Sequence, residues 1–191
     1  MSQQFIDDQT FKHIDFNQKD IKKGTYENCQ FQDCNFSTVS LVRINFVDCL
    51  FNNCDFSNAK LTETGFQNIS FEHCKLMGLR FDSCNSFLFA VNFQNCRLDF
   101  SSFYKVDLKK SNFQDCSLVE VDFVRADLSK IALKKCILTN ATFEQTILKE
   151  TDFSSAINFN IEPSENQIEK AKFSITSLPN LLRKYNLTIE I

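Results

Sequence analysis

Residues 31–61 read FQDCNFSTVSLVRINFVDCLFNNCDFSNAKL, and every fifth position carries a large apolar side chain: Phe31, Phe36, Leu41, Phe46, Phe51, Phe56 and Leu61. The step of five extends both ways. Backwards it meets Tyr26, Ile21, Phe16, Phe11 and Ile6, and forwards Phe66, Phe71, Leu76 and Phe81. It then lands on Ser86, resumes two residues later at Leu88, and runs through Phe93, Leu98 and Phe103 to Phe153, giving 30 apolar centres. An α-helix repeats near 3.6 residues and a strand near 2, so a sustained period of five is neither. The chain has 22 Phe but only 3 Gly and 2 Pro. A chain that turns often with so few turn residues uses one turn geometry repeatedly, the mark of a repeat architecture.

Two residues before each centre the side chain is small or compact, as at Cys29, Cys34, Val39, Ile44, Ala59, Val106, Ala126 and Ala141. One residue before, it is often Asp, Asn, Ser or Thr. Units such as Ala126-Asp127-Leu128-Ser129-Lys130 and Cys34-Asn35-Phe36-Ser37-Thr38 resemble the pentapeptide-repeat family over about residues 6–156. That resemblance implies an all-β fold, a right-handed quadrilateral β-helix with one pentapeptide per side. The cysteines support four sides independently: the pairs 29/49, 34/54, 54/74, 96/116 and 116/136 are each 20 residues apart. Centre residues and those two before them then point inward, and the other three positions face solvent. With coils spaced as strands are in a ladder, the rod is about 36 Å long.

The spacing divides the chain into a β-helix over 1–156, with a two-residue phase shift near 82–88, and a C-terminal cap over 157–191. Ser177 is a candidate N-cap with Pro179 in the first turn, and Leu178, Leu181, Leu182 and Tyr185 share a face of a short helix. The tail from Leu187 through Ile189 to Ile191 alternates apolar and polar, as a half-exposed strand does. An open solenoid end must be covered, and a helix this short must pack its apolar face on something. We therefore expect Leu178, Leu181, Leu182, Tyr185, Leu187, Ile189 and Ile191 to supply both the cap and a homodimer contact.

A formal net charge of -3 argues against direct nucleic-acid binding, which needs clustered Lys and Arg. Met1 to Asp8 contain no signal-like segment and no apolar stretch is long enough to span a membrane, so the sequence predicts a cytoplasmic protein with reduced cysteines. All nine cysteines fall at the small inward position. Stacked parallel thiols do not converge on one ion, so they read as packing rather than as a metal site. The only histidines, His13 and His73, stand three coils apart, about 14 Å at strand spacing. With no base beside a nucleophile and no glycine-rich phosphate loop, no enzyme activity and no cofactor is expected.

The phase shift places Phe87 and Phe89 at nominally outward positions, where they either cover a distorted corner or contact a partner. Phe100 also falls outward, with Met77, Val119 and Ile137, as an apolar stripe on the side of the long cysteine column. Phe87, Phe89 and Phe100 are the candidate partner contacts.

Asn158-Phe159, Pro163, Ala171-Lys172-Phe173-Ser174 and Leu181-Leu182 resemble the C-terminal module of Qnr-like proteins, the quinolone-resistance branch of the family. This resemblance implies two chains joined end to end into a rod that imitates duplex DNA, binds DNA gyrase and topoisomerase IV, and protects them from quinolones. The sequence departs from that pattern in charge, since no side is strongly acidic. A non-catalytic scaffold for another cytosolic partner is the alternative.

Overall fold

The computed structural model describes residues 4–188. Its strands are short and all parallel. On the first side β1 (Gln4–Asp7), β3 (Gly24–Glu27), β5 (Asn45–Val47) and β7 (Gly65–Gln67) form one sheet. On the second, β2 (Thr10–Lys12), β4 (Gln30–Gln32), β6 (Leu50–Asn52), β8 (Ile69–Glu72), β9 (Val91–Gln94), β10 (Asn112–Gln114) and β11 (Leu133–Lys134) form a sheet of seven. The third and fourth sides are held by single bridges, such as Asn35 with Asp55 and Asp55 with Lys75, or Ser102 with Asp122. Partners within each uninterrupted half are 20 residues apart, which is the four-sided register.

Three local rules make the coil. The residue two after a centre sits at the corner in the left-handed region, for example Asp33, Asn53, Asn68, Asn95 and Asn140 at φ 52–57°. Asn and Asp tolerate that region best among residues with a Cβ, and they replace the glycine the sequence lacks. One residue before a centre, the side-chain Oδ1 atoms of Asn35, Asp55 and Asp127 accept the backbone N–H two residues on, at 2.9–3.0 Å. Such Asx turns bend the third side and the later coils of the first. Two residues before a centre, a buried thiol or hydroxyl donates to a centre carbonyl of the preceding coil: Cys54 to Phe31 at 3.4 Å, Thr64 to Leu41 at 2.8 Å, Thr151 to Leu128 at 2.8 Å. Cysteine and threonine interchange here because both are compact donors.

The centre phenylalanines stack in columns within a side and meet edge to face between sides. Phe31 and Phe51 are stacked at 4.7 Å, whereas Phe51 and Phe56 are 5.1 Å apart at 85°. Both arrangements suit the ring quadrupole.

The phase shift is a bulge on the first side. Asn85 pairs with Gly65, but Val91 pairs with Ile69, so two extra residues enter between them. They lift Ser86 out of the wall, and the vacated slot is filled by Phe89, which is 7% exposed and meets Phe81 edge to face at 6.2 Å. The inward residue is thus Phe89, and Leu88, expected as a centre, stands outside at a corner φ of 55°.

The coil also runs beyond residue 156, with Ile147 bridged to Gln167 and Asp152 to Lys172. The cap is made of 3-10 turns over Ile175–Leu181 and Arg183–Tyr185, not an α-helix begun at Ser177. Ser174 holds the N-cap position, and Ser177 is buried with its hydroxyl donating to the Ser174 carbonyl at 2.9 Å. Pro179, inside the turn, has no N–H to extend an α ladder. Lys184 ties the cap to Glu162 at 3.7 Å.

Candidate interaction surfaces

Eight of the cysteines are buried, and Cys84 is half-buried, lining the cleft beside the bulge. All nine cysteines are free thiols. Cys34, Cys54, Cys74, Cys96, Cys116 and Cys136 line the third side, each hydrogen-bonded to a backbone carbonyl. Burial pushes the Cys49 thiol up to about 12 and raises that of Cys74 as well. Among the described residues, no three His, Cys, Asp or Glu side chains converge as a metal site, and no helix is long and apolar enough to cross a membrane. His13 lies 3.6 Å from Asp33, at the opposite end of the second side's early coils from His73.

Three surface features remain. The first is the bulge, where Phe87 is 66% and Leu88 51% exposed. Its base is pinned: Asn85 Oδ1 accepts the Phe87 N–H at 2.9 Å, and the Ala90 N–H donates to the Phe66 carbonyl at 3.1 Å. Beside it a cleft is lined by Leu88, Phe89, Tyr104, Lys105, Lys109 and Lys110. The structure does not bring the three phenylalanines expected at a contact together: Phe89 is core, and Phe100 occupies a corner after the third side. There Phe100 donates its N–H to the Val119 carbonyl at 2.9 Å, and Ile137 pairs with Ile157 one coil on.

The second feature is the C-terminal end. Of the four side chains expected to share one face, Leu181 alone packs against the core; Leu178, Leu182 and Tyr185 are exposed, as are Ile175 and Leu187 of the expected tail strand. Ile189 and Ile191 lie outside the described residues.

The third is a change of sign along the first side. Before the bulge its outward charges are Asp7, Asp8, Glu27 and Asp48, with no Lys or Arg among them. After it come Lys109, Lys110, Lys130, Lys149 and Lys170, interleaved with Asp107, Asp127, Glu150 and Glu169. Counting charge over whole sides conceals this reversal; the Lys109-Lys110 doublet was its only local sign in the sequence.

A four-sided solenoid built from five-residue units, with its side chains of interest on the outer wall, defines a class of surface-presenting proteins. The profile of the Pentapeptide repeat region matches residues 44–123 and 86–178, and this chain belongs to the pentapeptide-repeat family. No curated protein matches the sequence. Among solved structures the chain is similar in fold to QnrB1, a plasmid-mediated fluoroquinolone resistance protein. One trypsin-treated form gives a TM-score of 0.63 at 19% identity, covering 98% of this chain and 92% of that one. Another gives 0.61 at 16% identity, covering 98% and 100%. HetL, a pentapeptide repeat protein involved in heterocyst differentiation regulation in the cyanobacterium Nostoc, gives 0.42 at 16% identity, covering 87% and 86%. Identities this low speak for the shared fold alone.

Proposed function

We propose that this protein is a Qnr-like ligand of type II topoisomerases: a homodimeric rod that occupies the DNA-binding surface of DNA gyrase or topoisomerase IV and shields the enzyme from quinolones. The observation that carries this reading is the acid-only stretch of Asp7, Asp8, Glu27 and Asp48 on the first three coils of one side. A surface that binds DNA is basic, and a rod bearing a run of carboxylates at coil spacing presents it with a complementary field. Joining two chains through the exposed C-terminal leucines places one such stretch at each far end of the dimer. The end-to-end likeness to QnrB1 supports the shape, and QnrB1 is a fluoroquinolone resistance protein.

The test is gyrase supercoiling with ciprofloxacin, with and without the protein. Restored supercoiling that is lost in an Asp7→Lys, Asp8→Lys, Glu27→Lys variant is the expected result. Neither protection nor inhibition at micromolar protein would remove the reading and leave a scaffold for another partner.

A further inference from the structure

We propose that the cleft beside the bulge is a docking site for an acidic peptide segment with an apolar anchor, supplied by a partner protein. This inference does not rest on the topoisomerase reading. Its first support is conformational. Leu88 is a γ-branched residue with φ 55° whose side chain points to solvent, although Phe89 already fills the core slot. Such a corner is costly for a bulky residue and gains nothing from packing within this chain. Phe87 next to it is more exposed still, so the bulge presents two large apolar side chains on a base fixed by hydrogen bonds to the backbone.

The second support is charge complementarity, which selects the occupant. Lys105, Lys109 and Lys110 line the cleft on the coil that follows the bulge, all three exposed. Two carboxylates also line it, Asp82 and Asp107. Asp82 is held by Arg80 at 2.7 Å, and Asp107 by Lys109 at 3.0 Å, with Asp127 on the other side of that lysine at 3.2 Å. Lys105 lies over the Tyr104 ring at 4.9 Å, and Lys110 makes no ion pair among the described residues. The unbalanced charge at the cleft is therefore positive. Towards the N-terminal end the same side carries only acidic charge, at Asp7, Asp8, Glu27 and Asp48, separated from the bulge by the uncharged coil of Gly65, Gln67 and Asn68, so an anionic segment is repelled from that end of the side and drawn to the cleft. Leu88 and Phe89 supply the apolar wall for its anchor.

The experiment is fluorescence anisotropy with a fluorescein-labelled peptide, Glu-Asp-Glu-Phe-Leu-Glu-Asp-Glu, titrated with the full chain. Saturable binding is expected, weakened by about tenfold in Lys105→Glu, Lys110→Glu and again in Leu88→Asp, with the lysine-flanked counterpart not binding. These positions are exposed, and an unchanged thermal midpoint shows that each variant is folded. Equal binding of the lysine-flanked peptide, unaltered affinity in both variants, or no saturation at millimolar peptide overturns the proposal. Equally tight binding of a short oligothymidylate also overturns it, since the cleft would then be an anion site for nucleic acid.

Discussion

The rings of Phe36 and Phe56, one coil apart on the third side, lie face to face with centroids 4.4 Å apart and planes 16° from parallel. Phe56 also meets Phe51 and Phe71 edge to face, at 5.1 and 5.3 Å. Each central phenylalanine is thus held by its own column and by the neighbouring one. Phe56→Ala opens a cavity that a solenoid wall cannot collapse into, at a cost of about 3 to 5 kcal/mol. Urea unfolding measures it, and a loss below about 1 kcal/mol would contradict burial of the ring.

Phe100 carries an exposed aromatic side chain at φ 64°, in the left-handed region that Asn occupies at other corners. Relieving that strain stabilises by about 1 kcal/mol, because the left-handed conformation penalises residues other than Gly and Asn. For a chain of this size, Phe100→Asn raises the thermal midpoint by about 2 to 4 °C. Calorimetry that finds an unchanged or lower midpoint would show that Phe100 makes a stabilising contact within the chain.

Burial pushes the Cys49 thiol up to about 12, while in the unfolded chain a thiol titrates near 8.5. The folded state therefore favours the protonated form. Its contribution is complete below about pH 8.5 and is lost as pH rises through the window towards the folded value. At pH 10 the loss is about 2 kcal/mol for this one thiol. The urea midpoint should fall from pH 8 to pH 10, and fall less in Cys49→Ala. Equal falls in the two proteins would assign the alkaline sensitivity elsewhere.

The repeat was legible because each coil rule is local: a centre, a small donor two before it, an Asx one before it and a corner two after it. Those rules place Phe36 over Phe56 and Cys54 near Cys74 without any long-range information. The bulge was less legible. Once two residues are added, Phe87, Leu88 and Phe89 are all apolar, and counting by fives cannot say which turns inward. The hydrogen bonds of Asn85 and Ala90 decide it, and those depend on the coil beneath. The start of the cap was misplaced as well: the N-cap rule pointed to Ser177, but its hydroxyl is buried and donates to the Ser174 carbonyl, and the turn begins after Ser174. The sign change along the first side needed the register before individual charges could be assigned to one surface.

The 3-10 turns cover the C-terminal end only in part. Leu181 packs against the core, so the cap is attached, but the same segment leaves Ile175 at 86% exposure and Leu187 at 58%, and Leu178, Leu182 and Tyr185 exposed as well. An exposed cluster of this kind at one end of a rod costs solvation free energy that a second copy recovers. A two-fold axis through the end lets the same patch cover itself, which is the commonest closure for soluble chains. The monomer mass is 22.2 kDa, so light scattering of the wild type at tens of micromolar should give twice that value. Leu178→Asp, Leu182→Asp introduces charges that the joined ends would bury, and the mass should fall to the monomer while the β-type circular dichroism is kept. Both side chains are exposed in the single chain, so loss of fold in the variant is not expected from packing. A wild type that scatters as a monomer would defeat the end-to-end rod. With it would go the paired acidic ends on which the topoisomerase reading depends, whereas peptide binding at the bulge would be unaffected.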